Sequence, residues 1–340
     1  MISNLIINND EINFELNNNL NEIQISLANA IRRTIISDIY TYAINNDSVI
    51  FFENNSMLND EFLKHRLLLI PIISDRIDIN YEDVLISLKK KNEEEEIISI
   101  YVNDFICIEK STNSVIDNNL LFKYPNILFA KLKHNQQLSF NAELIKNNSE
   151  KGGSFFSPVS KCIYTFKIDD NKCQEIMKEM SKDEKISFLK QDIERHYEIK
   201  KNGLPSTYIF SVESIGFYEP KTVFLLGIES LIEKLSMIHL EFNNKKSKKV
   251  IIKYDEEKED FFNFLIDEEN ETIGNLLSTY ITYNDNVFFS GYLIEHPLKK
   301  NIILKIKLNK DNTIDNVISI ITINIDKIIN ILKNIIVELQ

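Results

Sequence analysis

A chain of 340 residues, 44% of them apolar, is long enough for about two domains of ~150 residues each and too apolar for overall disorder. Its formal net charge of −12 argues against phosphate neutralisation as its main work, while leaving room for a local basic patch. Three separated cysteines, Cys107, Cys162 and Cys173, make no disulfide framework and fit a reducing compartment. Met1-Ile2-Ser3-Asn4 shows no basic region before an apolar core, and no apolar run approaches about 18 residues. Neither a secretory signal nor a spanning helix is therefore expected. Scarce Gly, absent Trp and abundant Asn, Ile and Lys reflect AT-rich coding rather than chemistry.

Over residues 2–25, Ile12, Phe14 and Leu16 and then Ile23 and Ile25 alternate with polar positions around an Asn-rich turn, which predicts a β-hairpin. Leu27, Ile31 and Ile35 recur at i, i+4 and i+8, a narrow apolar stripe on a helix capped by Ser26 and interrupted by Arg32-Arg33. After an extended segment, a second helix starts at Leu58-Asn59-Asp60-Glu61. Asn59 is its cap, Asp60 and Glu61 occupy its first turn, Leu58 and Leu63 form a staple, and Pro71 closes it soon after His65-Arg66.

From about residue 74 to 204 short apolar strands alternate with polar turns. Lys89-Lys90-Lys91 running into Glu93-Glu94-Glu95-Glu96 reads as a solvated loop, Gly152-Gly153 as a turn, and residues 174–197 as one or two charged helices. The cysteines have no Cys-x-x-Cys spacing, so no metal site is expected. Tyr208 to Gly216 reads as a strand, and Pro220 suits the first turn of the next helix. There Phe224, Ile228, Leu231, Leu235, Ile238 and Phe242 follow the alternating spacing of a seam, which fits a partner helix and a buried core helix equally. Asn243 to Lys249 holds four lysines without aromatic residues, a solvated linker rather than a nucleic-acid patch.

Beyond the linker, Asn270 caps a helix opened by Glu271-Thr272. Gly274 inside it costs about 1 kcal/mol against Ala and so marks close packing. A strand runs from Val287 toward His296-Pro297, and Leu304, Ile306 and Leu308 alternate with Lys305 and Lys307 in a strand with one wet face. Finally Ile314, Ile318, Ile321, Ile325, Ile328, Leu332, Ile335 and Leu339 hold seam spacing along about 39 Å of helix at ~1.5 Å per residue. Such a seam must be covered. The seam from Phe224 to Phe242 is the local cover, and a homodimeric coiled coil is the competing one.

Asn29-Ala30-Ile31-Arg32-Arg33 followed by Asn55-Ser56-x-Leu58-x-Asp60-Glu61-Phe62-x-x-His65-Arg66-Leu67-x-Leu69-Ile70-Pro71 resembles the signature of α-like RNA polymerase subunits. These are bacterial α, the eukaryotic third-largest subunit and its archaeal counterpart. Ser157-Pro158-Val159 is similar to the family's lysine-tryptophan-serine-proline-valine segment, with Phe155 and Phe156 replacing the basic and aromatic residues. Thr272, Gly274, Asn275, Gly291, Tyr292, His296 and Pro297 resemble the pattern of the small partner of these subunits, the eukaryotic eleventh subunit or its archaeal counterpart. Glu271 stands where that family usually has histidine. Tyr40, Tyr42 and Leu68 depart from the α-like pattern.

The resemblance implies an α+β fold of two α-subunit-like dimerisation units, helices on antiparallel sheet, fused in one chain. Residues 1–73 and 205–243 form the first unit, 74–204 a mostly β insert, 244–250 the linker and 251–340 the second unit. It implies a non-catalytic assembly platform of DNA-directed RNA polymerase, an internal pseudo-dimer that docks the second-largest subunit and then the largest. Small zinc-binding polymerase subunits are further partners, and DNA and RNA are met only through the complex. The family often carries a metal-binding cysteine cluster in the insert, but the cysteines of this chain lack its spacing, so no metal, cofactor or membrane is expected. Asn29, Arg32, Arg33, Asp60, Glu61, His65 and Arg66 are the expected docking residues. Arg32 and Arg33 lie about 100° apart on a helix, so one can reach the large subunit while the other ties down Glu61 or the His65-Arg66 helix. Such fusions resemble those of nucleocytoplasmic large DNA viruses, which implies a place in the virion and host cytoplasm, or otherwise in the nucleus or cytoplasm with the polymerase. The alternatives are a free-standing nucleic-acid-binding or coiled-coil adaptor and an enzyme. The last lacks an Asp-x-Asp pair, a phosphate-cradling glycine loop and a Gly-x-Ser-x-Gly elbow.

Overall fold

The computed structural model describes residues 1–18, 22–244, 247–254, 261–310 and 313–339. The chain opens with the hairpin β1 (Ile2–Ile7) and β2 (Glu11–Asn17), turning at Asn8-Asn9-Asp10, and continues into α1 (Ile25–Ser37). The hairpin thus lies one strand earlier than its predicted turn. Ile12, Phe14 and Leu16 belong to its second strand, while Ile23 is buried just ahead of α1. The helix begins at Ile25 after Gln24, and the Ser26 hydroxyl is buried without a hydrogen-bond partner among the described residues, so it is not the cap.

There follow β3 (Thr41–Ile44), β4 (Ile50–Asn54), α2 (Asp60–Leu68), β5 (Val84–Lys91), β6 (Ile98–Tyr101), β7 (Ile106–Glu109), β8 (Ser114–Ile116), α3 (Asn118–Leu121), β9 (Leu128–Leu132), β10 (Gln137–Asn147) and α4 (Ser149–Gly152). β10 is the spine of this part and pairs with β3, β4 and β5. Lys89 to Lys91 are not loop residues but the end of β5, opposite Gln137 to Ser139. β11 (Val159–Phe166), α5 (Asp170–Lys178), α6 (Lys182–Gln191), β12 (Thr207–Ser214) and α7 (Pro220–Asn243) return the chain to the opening hairpin, giving a sheet ordered β1-β2-β12-β11.

The remaining elements are β13 (Val250–Tyr254), β14 (Phe262–Asp267), α8 (Glu271–Thr282), β15 (Val287–Leu293), β16 (Asn301–Leu308) and α9 (Ile314–Leu339). Their sheet, β13-β14-β16-β15, repeats the strand order of the first. In both, a hairpin leads to a helix, two further strands join beside the hairpin's second strand, and a long helix closes the unit. Within the linker, Lys245 and Lys246 lie outside the described residues.

One face of each sheet is apolar by alternation. Phe14 pairs with Phe210 and stacks on it at 5.5 Å, with Phe224 of α7 edge-on to Phe14 at 4.8 Å. Phe264 opposite Leu304 and Ile266 opposite Ile302 do the same in the second sheet. One continuous core runs through both units, from Ile12 to Leu339. Leu27, Ile31, Ile35 and every seam residue of α7 from Phe224 to Ile238 are inaccessible within it, as are Ile321, Ile325, Ile328, Leu332 and Ile335 of α9. Ile314 and Ile318 are only half-buried, and the buried face of α9 also takes in Val317, Ile320, Asn324 and Ile331, wider than a coiled-coil seam. α9 packs on α7 inside the chain. That occupies the seam a homodimeric coiled coil would use.

A second core, Ile44 to Leu144, fills the inserted body. It takes Leu63, Leu67 and Leu68 from α2, while β11 joins the first unit's sheet. The cores therefore divide the chain at β3 and β10 rather than at residues 73 and 205.

Candidate subunit-docking surface

α2 forms where Asn59 accepts a hydrogen bond from the Phe62 amide at 3.0 Å, and Asp60 accepts one from the Asn54 amide group at 2.7 Å. Three leucines bury one side of it. The other side leaves Glu61, Phe62, His65, Arg66 and Leu69 at the surface. Leu58 of the expected staple is also exposed, while Leu63 is buried. Phe52 and Phe62 are 60% and 64% exposed, and Ile50, Met57 and Leu69 stand exposed in the same stretch.

The charged residues of the expected docking set have separate partners. Arg66 donates through Nε to the Phe129 carbonyl at 3.1 Å and through Nη2 to that of Leu128 at 2.6 Å, pinning α2 to β9. His65 lies edge-on to Phe155 with ring centroids 6.3 Å apart. On α1, Arg32 donates through Nε to Asn29 Oδ1 at 3.0 Å, and its charge partly offsets the burial that pushes the Cys162 thiol up to about 12. Arg33 instead reaches α8, donating through Nε to Thr272 Oγ1 at 2.6 Å and standing 3.4 Å from Glu271 Oε2. Neither arginine makes the predicted tie to Glu61 or to the His65-Arg66 helix, because α2 turns its buried face into the other core. Glu271, standing where the small-partner family usually has histidine, gives Arg33 a carboxylate.

Of the small-partner motif, Gly274 and Tyr292 meet, while Thr272 faces Arg33 of α1. A Cβ on Gly274 would stand 2.7 Å from the Tyr292 ring, so the close packing predicted there is real. The Asn275 carbonyl accepts from Thr279 Oγ1 at 2.7 Å, and Gly291 sits opposite Lys305 on the edge strand. His296 and Pro297 lie apart, exposed beyond the end of β15, with His296 Nδ1 accepting from the Leu298 amide at 3.1 Å.

Sequence reading overlooked a charge cluster in which Asp38 and Glu269 are buried and their partners half-buried. Lys234 lies 2.8 Å from Asp38 and 3.6 Å from Glu150, and Lys249 lies 3.5 Å from Glu269. The signal was a lysine set between seam residues Leu231 and Leu235. Burial works against the Lys234 charge, but Asp38, with Glu150 and Glu269, more than compensates and raises its pKa. Glu269 is 4% exposed. Burial pushes its pKa up, and Lys234 and Lys249 only partly reverse this. A carboxylate whose folded pKa is raised contributes stability below its unfolded value that is lost as pH rises through the folded one. Glu269→Gln should therefore raise the melting temperature at neutral pH, and the gain should vanish below about pH 4. Melting curves at the two pH values check it.

Two units of one strand order, each an antiparallel sheet backed by helices and sharing one core, define an α+β dimerisation scaffold. Residues 19–235 match the RNA polymerase Rpb3/Rpb11 dimerisation domain, and residues 262–337 match a second family of that description. The chain belongs to the RNA polymerase Rpb3/Rpb11 dimerisation-domain family. It is 29% identical over 242 residues to DNA-directed RNA polymerase subunit Rpo3 of Pyrococcus furiosus, covering 63% of this chain and 88% of the relative. It is 25% identical over 276 residues to DNA-directed RNA polymerases II, IV and V subunit 3 of Arabidopsis thaliana, covering 65% and 86%. Over 74 residues, 22% of each chain, it is 51% identical to DNA-directed RNA polymerase II subunit rpb3 of Dictyostelium discoideum.

Proposed function

We propose that the chain is a non-catalytic assembly subunit of a multisubunit DNA-directed RNA polymerase that carries the α-like and small-partner units in one polypeptide. The observation that carries this is the repeated sheet order, with α1 and α7 of one unit packed on α8 and α9 of the other. The units form a pseudo-dimer, which the covalent linker keeps at high effective concentration. Arg33 to Thr272, and the Tyr280 hydroxyl donating to the Glu22 carbonyl at 2.7 Å, support the pairing. The exposed stretch around β4 and α2 docks the second-largest subunit, after which the largest joins. Small zinc-binding subunits attach to the same platform, and nucleic acid is met only through the complex. In its finest form this reading assigns the single chain to a nucleocytoplasmic large DNA virus, with a place in virion and host cytoplasm. The relatives named above are archaeal and eukaryotic, which supports nucleus or cytoplasm with the polymerase.

Affinity purification of the tagged chain from its own cells tests the reading. Two very large polymerase subunits should co-purify in stoichiometric yield, and their absence would sink it. A gel shift of the isolated chain should show little DNA binding. Tight binding there would favour the free-standing adaptor.

A further inference from the structure

The inserted body joins the first unit through two covalent crossings, residues 38–40 on the way in and 148–158 on the way out. They run side by side, with the Asn148 amide group donating to the Asp38 carbonyl at 3.5 Å. Lys234 of α7 holds both, through Asp38 at 2.8 Å and Glu150 at 3.6 Å. Further contacts join body and platform outside the two large cores. Ala43, Phe156 and Phe217 make a small apolar cluster of their own between the two large cores, and the Ser74 amide donates to the Phe217 carbonyl at 2.7 Å. Lys123 and Tyr124 of the body lie against Gly216, the Tyr218 hydroxyl donates to the Tyr40 carbonyl at 2.7 Å, and Lys123 pairs with Asp10, their side chains 25% and 40% exposed. A cleft of about 360 Å³ opens beside that pair, lined by Asp75 and Arg76 from the body and by Gly216, Tyr218 and Glu219 from the first unit. A second cleft of about 330 Å³ opens beside Lys234.

Two cores joined by adjacent crossings are expected to move relative to one another unless a large apolar contact holds them. We propose that the inserted body is a hinged arm, with Lys234 as the pin holding both crossings and the Lys123–Asp10 pair as the latch. The two lysines are about equally exposed, at 28% and 25%, but the pin's Asp38 is buried at 6% where the latch's Asp10 is 40% exposed. The latch carboxylate is the more open of the two, so salt weakens that pair first, the screening length falling to about 3 Å at 1 M. The arm carries β4 and α2. Opening the latch therefore moves Phe52 and Phe62 relative to α7 and α9, whatever partner they meet.

Spin labels on the full chain at Val115→Cys, in β8 of the arm, and Leu240→Cys, on α7, test this by pulsed electron paramagnetic resonance. Both positions are well exposed and the three native cysteines are buried, so the chain without new cysteines gives the labelling background. At low salt one narrow distance distribution is expected. It should shift and broaden in Lys123→Met, and at 1 M salt with the native latch, an arm that needs no substitution at the junction. Movement in either supports the latch, and a distribution unchanged in both overturns it. Lys234→Met should broaden the distribution even with Lys123 in place. A distribution as narrow as the parent's overturns the pin.

Discussion

Gly227→Val should leave little folded protein, and Gly227→Ala should fold with a lowered melting temperature. Gly227 lies inside α7 where that helix crosses α1. A Cβ there would run into Ile35 Cγ1 and stand 3.3 Å from the Ile35 Cα. Ile35 is inaccessible and cannot swing away, because its own backbone lies behind the contact. Alanine in a helix interior gains about 1 kcal/mol over glycine. Overpacking a filled core costs about 1–3 kcal/mol per insertion and more where backbone must shift. The clash outweighs the propensity for alanine. Valine's two further methyls enlarge it to about 3 kcal/mol or more, a large share of the roughly 5–15 kcal/mol typical of a whole fold. Thermal melts followed by circular dichroism decide it. Ile35→Ala combined with Gly227→Ala should cost less than the two changes summed, since the first makes room for the second. An unchanged melting temperature in Gly227→Val would show that the two helices do not cross so closely.

Phe52→Asp together with Phe62→Asp should abolish co-purification of the large polymerase subunits while leaving the fold intact. Both rings are mostly in solvent, so the isolated chain loses little apolar burial and its melting curve should not move. At an interface, by contrast, a buried aromatic anchor is worth about 2 kcal/mol or more, roughly thirtyfold in affinity, and an unpaired carboxylate in its place adds a desolvation penalty. The comparison that matters is with Arg66→Met. That change removes two bonds holding α2 to β9, so it should lower both the melting temperature and the yield of complex. Loss of complex without loss of stability places the docking contact on the exposed face. If the double substitution leaves co-purification unchanged, that face is not where the large subunits bind.

Local signals were legible wherever the chemistry is short-range. Asn59 and Asn270 cap their helices because a side-chain oxygen needs only the amides of the next turn. Pro220 opens α7 at the position where its missing N–H costs nothing. The seams of α7 and α9 were readable because burial on a helix repeats at fixed spacing, and Gly274 because a glycine inside a helix needs a reason. The first hairpin was misplaced because Asn-rich turns occur on both sides of β2 and alternation alone does not choose between them.

One relation in the sequence was overlooked. Ser26-Leu27-x-Asn29 and Thr272-Ile273-x-Asn275 stand at the same place in α1 and α8, an internal repeat that announces two like units.

The sequence by itself determined the two units, their helices and the apolar faces that must meet, since periodicity and capping are written in neighbouring residues. Only the tertiary structure decided what the charged residues do. Arg33 finds its partner 239 positions away, Lys234 gathers carboxylates from both crossings of the insert, and α2 gives its leucines to a core separate from that of the helix carrying the arginines. A charge reaches across space to whatever the fold brings near it, and its neighbours along the chain carry no record of that choice.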